Sequence, residues 1–128
     1  MEVYMTICSK EKRDYPGLLP AIDMYNSDRI ESVYARSRRD LVEFRILSGK
    51  HGLLSAMDYI VDYDKLLTFE GVDDLTKLVS NQIRSSTIDE IFFFGKDFKE
   101  FPAWEPYYAV IEKASAEINI KLNYELIK

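Results

Sequence analysis

The apolar positions of the chain alternate between short dense runs and stretches with a helical period. Val3–Cys8 (VYMTIC) is β-branched and aromatic and is ended by the polar stretch Ser9–Asp14, a length that predicts a strand buried on both faces. Tyr15-Pro16-Gly17 and then Pro20 punctuate a loop, because proline fixes its own backbone and pushes its neighbour out of the helical region. Ser27 or Asp28 can cap the helix that follows, with Glu31 three residues after Asp28 as in a capping box. That helix is expected to run to about Arg39 with Ile30, Val33, Tyr34 and Ser37 on its inner face. Leu41–Ser48 (LVEFRILS) predicts a second strand. Gly49–Asp64 keeps no sustained period and reads as a long loop with room for one short helical turn, and loops of that length are often functional. Val72, Leu75, Leu78, Val79 and Ile83 predict an amphipathic helix over 72–84. Glu90–Gly95 (EIFFFG) predicts a third strand, and Lys96–Trp104 a second loop carrying Phe98, Phe101 and Trp104. A helix from Glu105 or Pro106 to about Glu117 and a last strand over Ile118–Ile127 complete the chain.

Strands alternating with helices predict an α/β fold spanning residues 1–128 as one domain, with a four-stranded, mainly parallel sheet and helices on both faces. Ligands of such folds sit beyond the carboxyl ends of the strands, near the point where strand order reverses. This rule selects the loops Cys8–Tyr15, Ser48–Asp64 and Gly95–Trp104.

Composition narrows the function classes. At 47% hydrophobic and 30% charged residues, a folded core is expected and a disordered or low-complexity chain is not. The 17 basic and 22 acidic residues leave a formal charge of −5, which argues against holding nucleic acid by bulk charge and leaves room for a local basic patch. One Cys forms no internal disulfide, and one His with one Cys does not supply a structural zinc set, so neither metal nor cofactor is expected. No apolar run approaches the roughly 18–20 residues of a membrane span, and Met1–Ser9 is too short for a signal sequence, so the expected location is cytoplasmic.

Three loops hold the chemistry. Cys8-Ser9-Lys10-Glu11-Lys12-Arg13-Asp14-Tyr15 gathers a thiol, a hydroxyl and cations whose donors can converge on a phosphate. It also reads as a solvated charged turn with Cys8 as a small buried hydrophobe. Ser48-Gly49-Lys50-His51-Gly52-Leu53-Leu54 sets the only His between two glycines. There an imidazole can donate to developing negative charge or shuttle a proton, or simply bond a carbonyl. Its spacing is not that of a phosphate loop. Asp58, Asp62 and Asp64, with Tyr59 and Tyr63 between them, can bind a hard cation or form a solvated edge. Arg36, Arg38 and Arg39 complement the end of the first helix. Of the aromatic set Phe98, Phe101, Trp104, Tyr107 and Tyr108, Trp104 in its proline-flanked loop is the best candidate to stack on a base.

Cys8-Ser9-x-x-Lys12, then Met24-Tyr25, then Leu47-Ser48-x-Lys50-His51-Gly52-Leu53-Leu54 and Tyr63-Asp64 together resemble the pattern of a family of largely uncharacterised bacterial and phage proteins. The resemblance covers about residues 3–67, with Met24 where that family often has Leu. The family is in turn distantly similar to the uracil-DNA-glycosylase-like fold, to the lysine-transferring domain of archaeosine synthase and, more weakly, to the peroxide-stress protein family. The resemblance implies a three-layer α/β/α sandwich that binds a nucleobase, a nucleotide or DNA containing modified bases. The usual second motif of the glycosylases, a His-Pro-Ser segment after the last core strand, is absent, and His51 follows the second strand instead.

The leading expectation is an N-glycosidic hydrolase. Breaking that bond needs a carboxylate near the sugar and a donor near the leaving base, roles that fall to Asp14 and His51. Lys12 and Lys50 then hold phosphate and Tyr15 or Trp104 stacks on the base, with Cys8, Ser9, Tyr25, Ser48, Gly52, Tyr63 and Asp64 completing the substrate-binding set. A nucleotide or nucleic-acid binding module without turnover is the alternative. A phage or defence accessory protein that uses its aromatics as interface anchors is a third reading. The free edge of a small sheet also allows a homodimer.

Overall fold

A computed structural model describes residues 1–127. It is an α/β domain built from β1 (Glu2–Ile7), β2 (Leu19–Pro20), α1 (Ala21–Met24), α2 (Asp28–Asp40), β3 (Glu43–Ser48), β4 (Gly52–Leu54), β5 (Tyr59–Ile60), α3 (Val72–Arg84), β6 (Glu90–Gly95), α4 (Glu105–Ile118) and β7 (Lys121–Leu126). The main sheet has five strands in the order β4-β3-β1-β6-β7, and β2 pairs with β5 in a separate two-stranded ribbon. Neighbours β3, β1, β6 and β7 run parallel, whereas β4 is antiparallel to β3.

The sheet is therefore mixed, not the mainly parallel four-stranded sheet expected. The extra strand comes from the stretch 49–64, which the sequence presents as a loop. Ser48 closes a tight turn by accepting the backbone N–H groups of Lys50 and His51. Gly52 follows at φ 70°, a left-handed backbone that only glycine adopts without strain. The chain then returns along β3, with Leu47 opposite Leu53 and Ile46 opposite Leu54. A three-residue strand is too short to display a period, so the pattern of apolar residues does not reveal it.

The other boundaries follow local rules. Ser27 caps α2 by accepting the N–H of Ile30, so the Asp28–Glu31 box is not the one used. Leu41, expected in the second strand, ends α2 instead in the left-handed conformation and is 92% exposed. Asn119 does the same for α4, which delays β7 to Lys121.

Alternation along β1 and β6 assigns the faces of the sheet. Tyr4 meets Phe92 and Phe94 with ring centroids 5.7 and 5.0 Å apart, and its hydroxyl donates to Asp40 of α2 at 2.7 Å. Phe93 points the other way, to Tyr108 of α4 at 5.1 Å. Helices α3 and α4 are joined by Arg84 and Ser80, which both bond Glu117, at 3.1 and 3.0 Å. Phe93 is wholly buried, and truncating such a ring costs about 3–5 kcal/mol. No helix among the described residues is long and apolar enough to cross a membrane.

Candidate functional site

Strand β1 lies between β3 on one side and β6 on the other, so strand order reverses at the β1–β6 boundary. A cleft of about 850 Å³ opens there, between the end of β1, the start of α2, the segment 63–66 and the loop after β6. Its size suits a small organic ligand.

The charge of the cleft opposes that of the chain. Lys10, Lys12, Arg29, Lys65 and Lys96 line it against two carboxylates, Glu11 and Asp64, in a protein of formal charge −5. Among the described residues none of these seven groups takes part in an ion pair. Arg29 is the most constrained of the cations. Its Nη1 donates to Thr6 Oγ1 and to the Ile7 carbonyl, both at 2.8 Å, and its Nη2 to the Cys8 carbonyl at 3.3 Å. The guanidinium lies 4.9 Å from the Trp104 ring centroid. Burial lowers its pKa to about 10, which leaves it charged at neutral pH. A cation in the first turn of a helix is opposed by the helix dipole, so local rules do not explain its place at the head of α2.

The loop after β1 is pinned by short-range pairing. Lys12 and Tyr25 form an antiparallel bridge, Arg13 N–H donates to the Met24 carbonyl at 2.8 Å, and Asn26 N–H to that of Glu11 at 3.1 Å. The Lys12 ammonium is thereby held 4.5 Å from the Tyr63 ring centroid. Lys96 covers the Phe101 ring at 4.5 Å, and Phe101, 42% exposed, lines the cleft with it.

A cluster of hydroxyls extends inward from the cleft wall, where Tyr63 and Tyr107 stand. Tyr63 hydrogen-bonds Tyr25, and Ser48 Oγ at 2.7 Å. Tyr107 Oη accepts the Leu67 N–H at 3.3 Å and contacts Cys8 Sγ at 3.6 Å. Gly49 packs closely here: a Cβ there would stand 3.2 Å from Tyr107 Oη and 3.3 Å from both the Leu67 nitrogen and the Lys65 carbonyl, so these neighbours would have to give by a few tenths of an ångström. Burial, first among the causes, pushes the Tyr63 phenol up to about 12 and those of Tyr25 and Tyr107 further. His51 packs edge-on against Tyr63 at 5.2 Å. Burial, and then the Lys50 charge, lower its pKa, which favours the neutral ring, and its Nε2 is buried without a hydrogen-bond partner among the described residues.

Of the residues expected at the site, Cys8, Ser9, Lys12, Tyr63, Asp64 and Trp104 line the cleft. Tyr25 and Ser48 stand behind Tyr63 and hold it, while Gly52 shapes the turn into β4 and Lys50 lies 5.5 Å from the Tyr63 ring. Asp14 and Tyr15 are exposed on the far part of the first loop, outside the lining, and His51 is also outside it. Arg29, Lys96 and Lys65 were not among the expected residues. Only Arg29 carried a signal, its position against the helix dipole.

A model of DUF6884, a family of unknown function, matches residues 3–124. The chain belongs to this family. The match runs from β1 into β7 and so takes in every element of the DUF6884 fold that frames the cleft. No curated protein matches the chain, and no solved structure does.

Proposed function

We propose that this DUF6884 chain binds a nucleotide in the cleft between β1 and β6. The observation that carries the reading is the pairing of an unneutralised set of cations with aromatic walls at the switch point of an acidic protein. Lys12, Lys96 and the free donors of Arg29 suit a phosphate, because charge-assisted hydrogen bonds to its oxygens are about twice as strong as neutral ones. Phe101 suits the face of a base, with Trp104 already stacked on Arg29. The acidic net charge favours a free nucleotide over a long nucleic acid. The placement of α2 over Tyr4 and of α4 over Phe93 agrees with a three-layer α/β/α arrangement of the uracil-DNA-glycosylase kind.

Glu11 and Asp64 favour a second reading, hydrolysis of the N-glycosidic bond, since either carboxylate is in the lining and can face a sugar that develops positive charge. Asp14 and His51 lie outside that lining, so the reading shifts the carboxylate role from Asp14 to these two residues. A substrate in duplex DNA would have to be flipped out, which favours modified bases.

Calorimetric titration of the full chain with the four common ribonucleoside 5′-monophosphates, their parent nucleosides and a single-stranded oligonucleotide tests the first reading. At least one monophosphate is expected to bind, more tightly than its nucleoside, with the affinity falling in Lys96→Gln. Binding by no member of the panel, or equal affinity for nucleoside and monophosphate, overturns it. Mass spectrometry of the same mixtures for released base decides whether hydrolysis follows binding.

A further inference from the structure

A count of donors and lone pairs orders the hydrogens of the hydroxyl cluster at the cleft wall. Ser48 Oγ accepts the backbone N–H groups of Lys50 and His51, both at 3.1 Å, which occupies both lone pairs of a hydroxyl. The Ser48 hydrogen is left to donate, and its partner is Tyr63 Oη at 2.7 Å. Tyr25 is 0% exposed, and among the described residues its phenol has Tyr63 as hydrogen-bond partner. Ser48 has no lone pair left to receive it. A buried hydroxyl without an acceptor is costly, so Tyr25 donates to Tyr63. Tyr63 Oη thus accepts two hydrogens, and its own finds no oxygen or nitrogen acceptor in the cluster. The neighbouring Cys8 sulfur is a weak acceptor already in contact with Tyr107. Tyr63 is also the member of the trio that lines the cleft.

We propose that Tyr63 is the hydrogen-bond donor of the cleft, presenting its phenolic hydrogen to an acceptor atom of the ligand, and that Ser48 and Tyr25 are positioning residues that aim it. The acceptor is a ring nitrogen, a carbonyl oxygen or a phosphoryl oxygen, groups that a nucleotide carries, and to that extent the inference rests on the nucleotide reading. Two accepted hydrogen bonds polarise the Tyr63 O–H, and the Lys12 and Lys50 ammonium groups at 4.5 and 5.5 Å from the ring strengthen that effect. The bonds from Ser48 and Tyr25 pull the phenol down against the upward push of burial. The Leu-Ser-x-Lys-His-Gly segment then has a role that does not require its side chains to reach the ligand. It places Ser48 Oγ where two backbone amides force it to donate.

Hydroxyl exchange tests the assignment in the ligand-free protein. With tyrosine labelled by carbon-13 at Cζ, in mixed light and heavy water, a slowly exchanging hydroxyl gives two resolved signals and a fast one gives an averaged signal. Tyr25 is expected to be slow and Tyr63 fast, with assignments from Tyr25→Phe and Tyr63→Phe. A slow Tyr63 beside a fast Tyr25 overturns the proposal. On addition of adenosine or uridine 5′-monophosphate, the Tyr63 hydroxyl is expected to become slow. Tyr63→Phe is expected to weaken binding about tenfold, and Tyr25→Phe only about two- to threefold, since the donor survives without its support. Wild-type affinity in a folded Tyr63→Phe variant also overturns it. If no monophosphate of the four binds the wild-type chain, the nucleotide reading fails, while the exchange pattern still decides whether Tyr63 carries the free donor.

Discussion

The loop after β1 and the turn after β3 leave the same edge of the sheet, and both hold motif residues, yet they do opposite jobs. The first turns Cys8, Ser9 and Lys12 into the cleft, and its backbone is held by pairing with the segment Met24–Asn26. The second folds back on its own strand as β4 and faces the cleft only through what it supports, with Ser48 bonded to Tyr63 and Gly49 packed beneath Tyr107. Motif residues at strand ends therefore divide into those that line the cleft and those that hold the residues which do. The turn after β3 belongs to the second kind.

The sharpest way to break this comparison is at Arg29, which ties the head of α2 to the end of β1 where the first loop begins. Arg29→Met removes three hydrogen bonds and a stacked cation, and is expected to lower nucleotide affinity about a hundredfold and stability by about 3 kcal/mol. Titration calorimetry and urea unfolding check the two effects separately.

Ser48→Ala probes the supporting turn. It strands two backbone N–H groups and removes one of the two hydrogen bonds that Tyr63 accepts, so a stability loss of about 2 kcal/mol is expected in urea unfolding, with only a small loss of affinity. If affinity collapsed while stability held, the turn would belong with the ligand-facing loop. Lys12→Gln should do the reverse, lowering monophosphate affinity by about three- to tenfold and weakening its salt dependence, with stability nearly unchanged.

His51 gives a smaller, pH-dependent effect. Its folded pKa lies below the ordinary histidine value, so between the two values the unfolded chain binds more protons and stability rises with pH. The contribution is complete above about pH 6.5 and is lost as the pH falls through the folded value. Depressed carboxylates at Asp40, Asp89 and Glu117 act at lower pH, so the histidine part is read as the difference between wild type and His51→Ala. A His51→Ala profile parallel to wild type between pH 5 and 7 would contradict the burial of the ring. The smallest effect is expected for Asp14→Asn, with affinity within about twofold and stability within about 0.5 kcal/mol of wild type.

How much was legible in the chain depended on distance along it. The helix over 72–84 and the strand over 90–95 were read at their observed bounds, because each is long enough for its period to show. Strand β4 was not legible, since three residues carry no period and its evidence is a serine whose hydroxyl closes the turn. Cys8, Ser9, Lys12, Tyr63, Asp64 and Trp104, which loop position and motif single out in the sequence, line the cleft. Asp14 and His51 sit in the loops that the strand-end rule selects but outside the lining, because a loop contributes only some of its side chains to a cleft, and local sequence does not say which.

The sequence by itself determined the alternation of strands and helices, and with it the edge of the sheet where the cleft opens. Hydrophobic period, caps and turn residues act over a few positions and are written locally. The tertiary structure alone decided the polarity of the site. It brought Arg29 under Trp104 and drew Ser48 and Tyr25 onto Tyr63 across 15 and 38 positions of chain. Such contacts depend on how strands order themselves in the sheet, and the free energy that selects that order comes from burying the whole core at once.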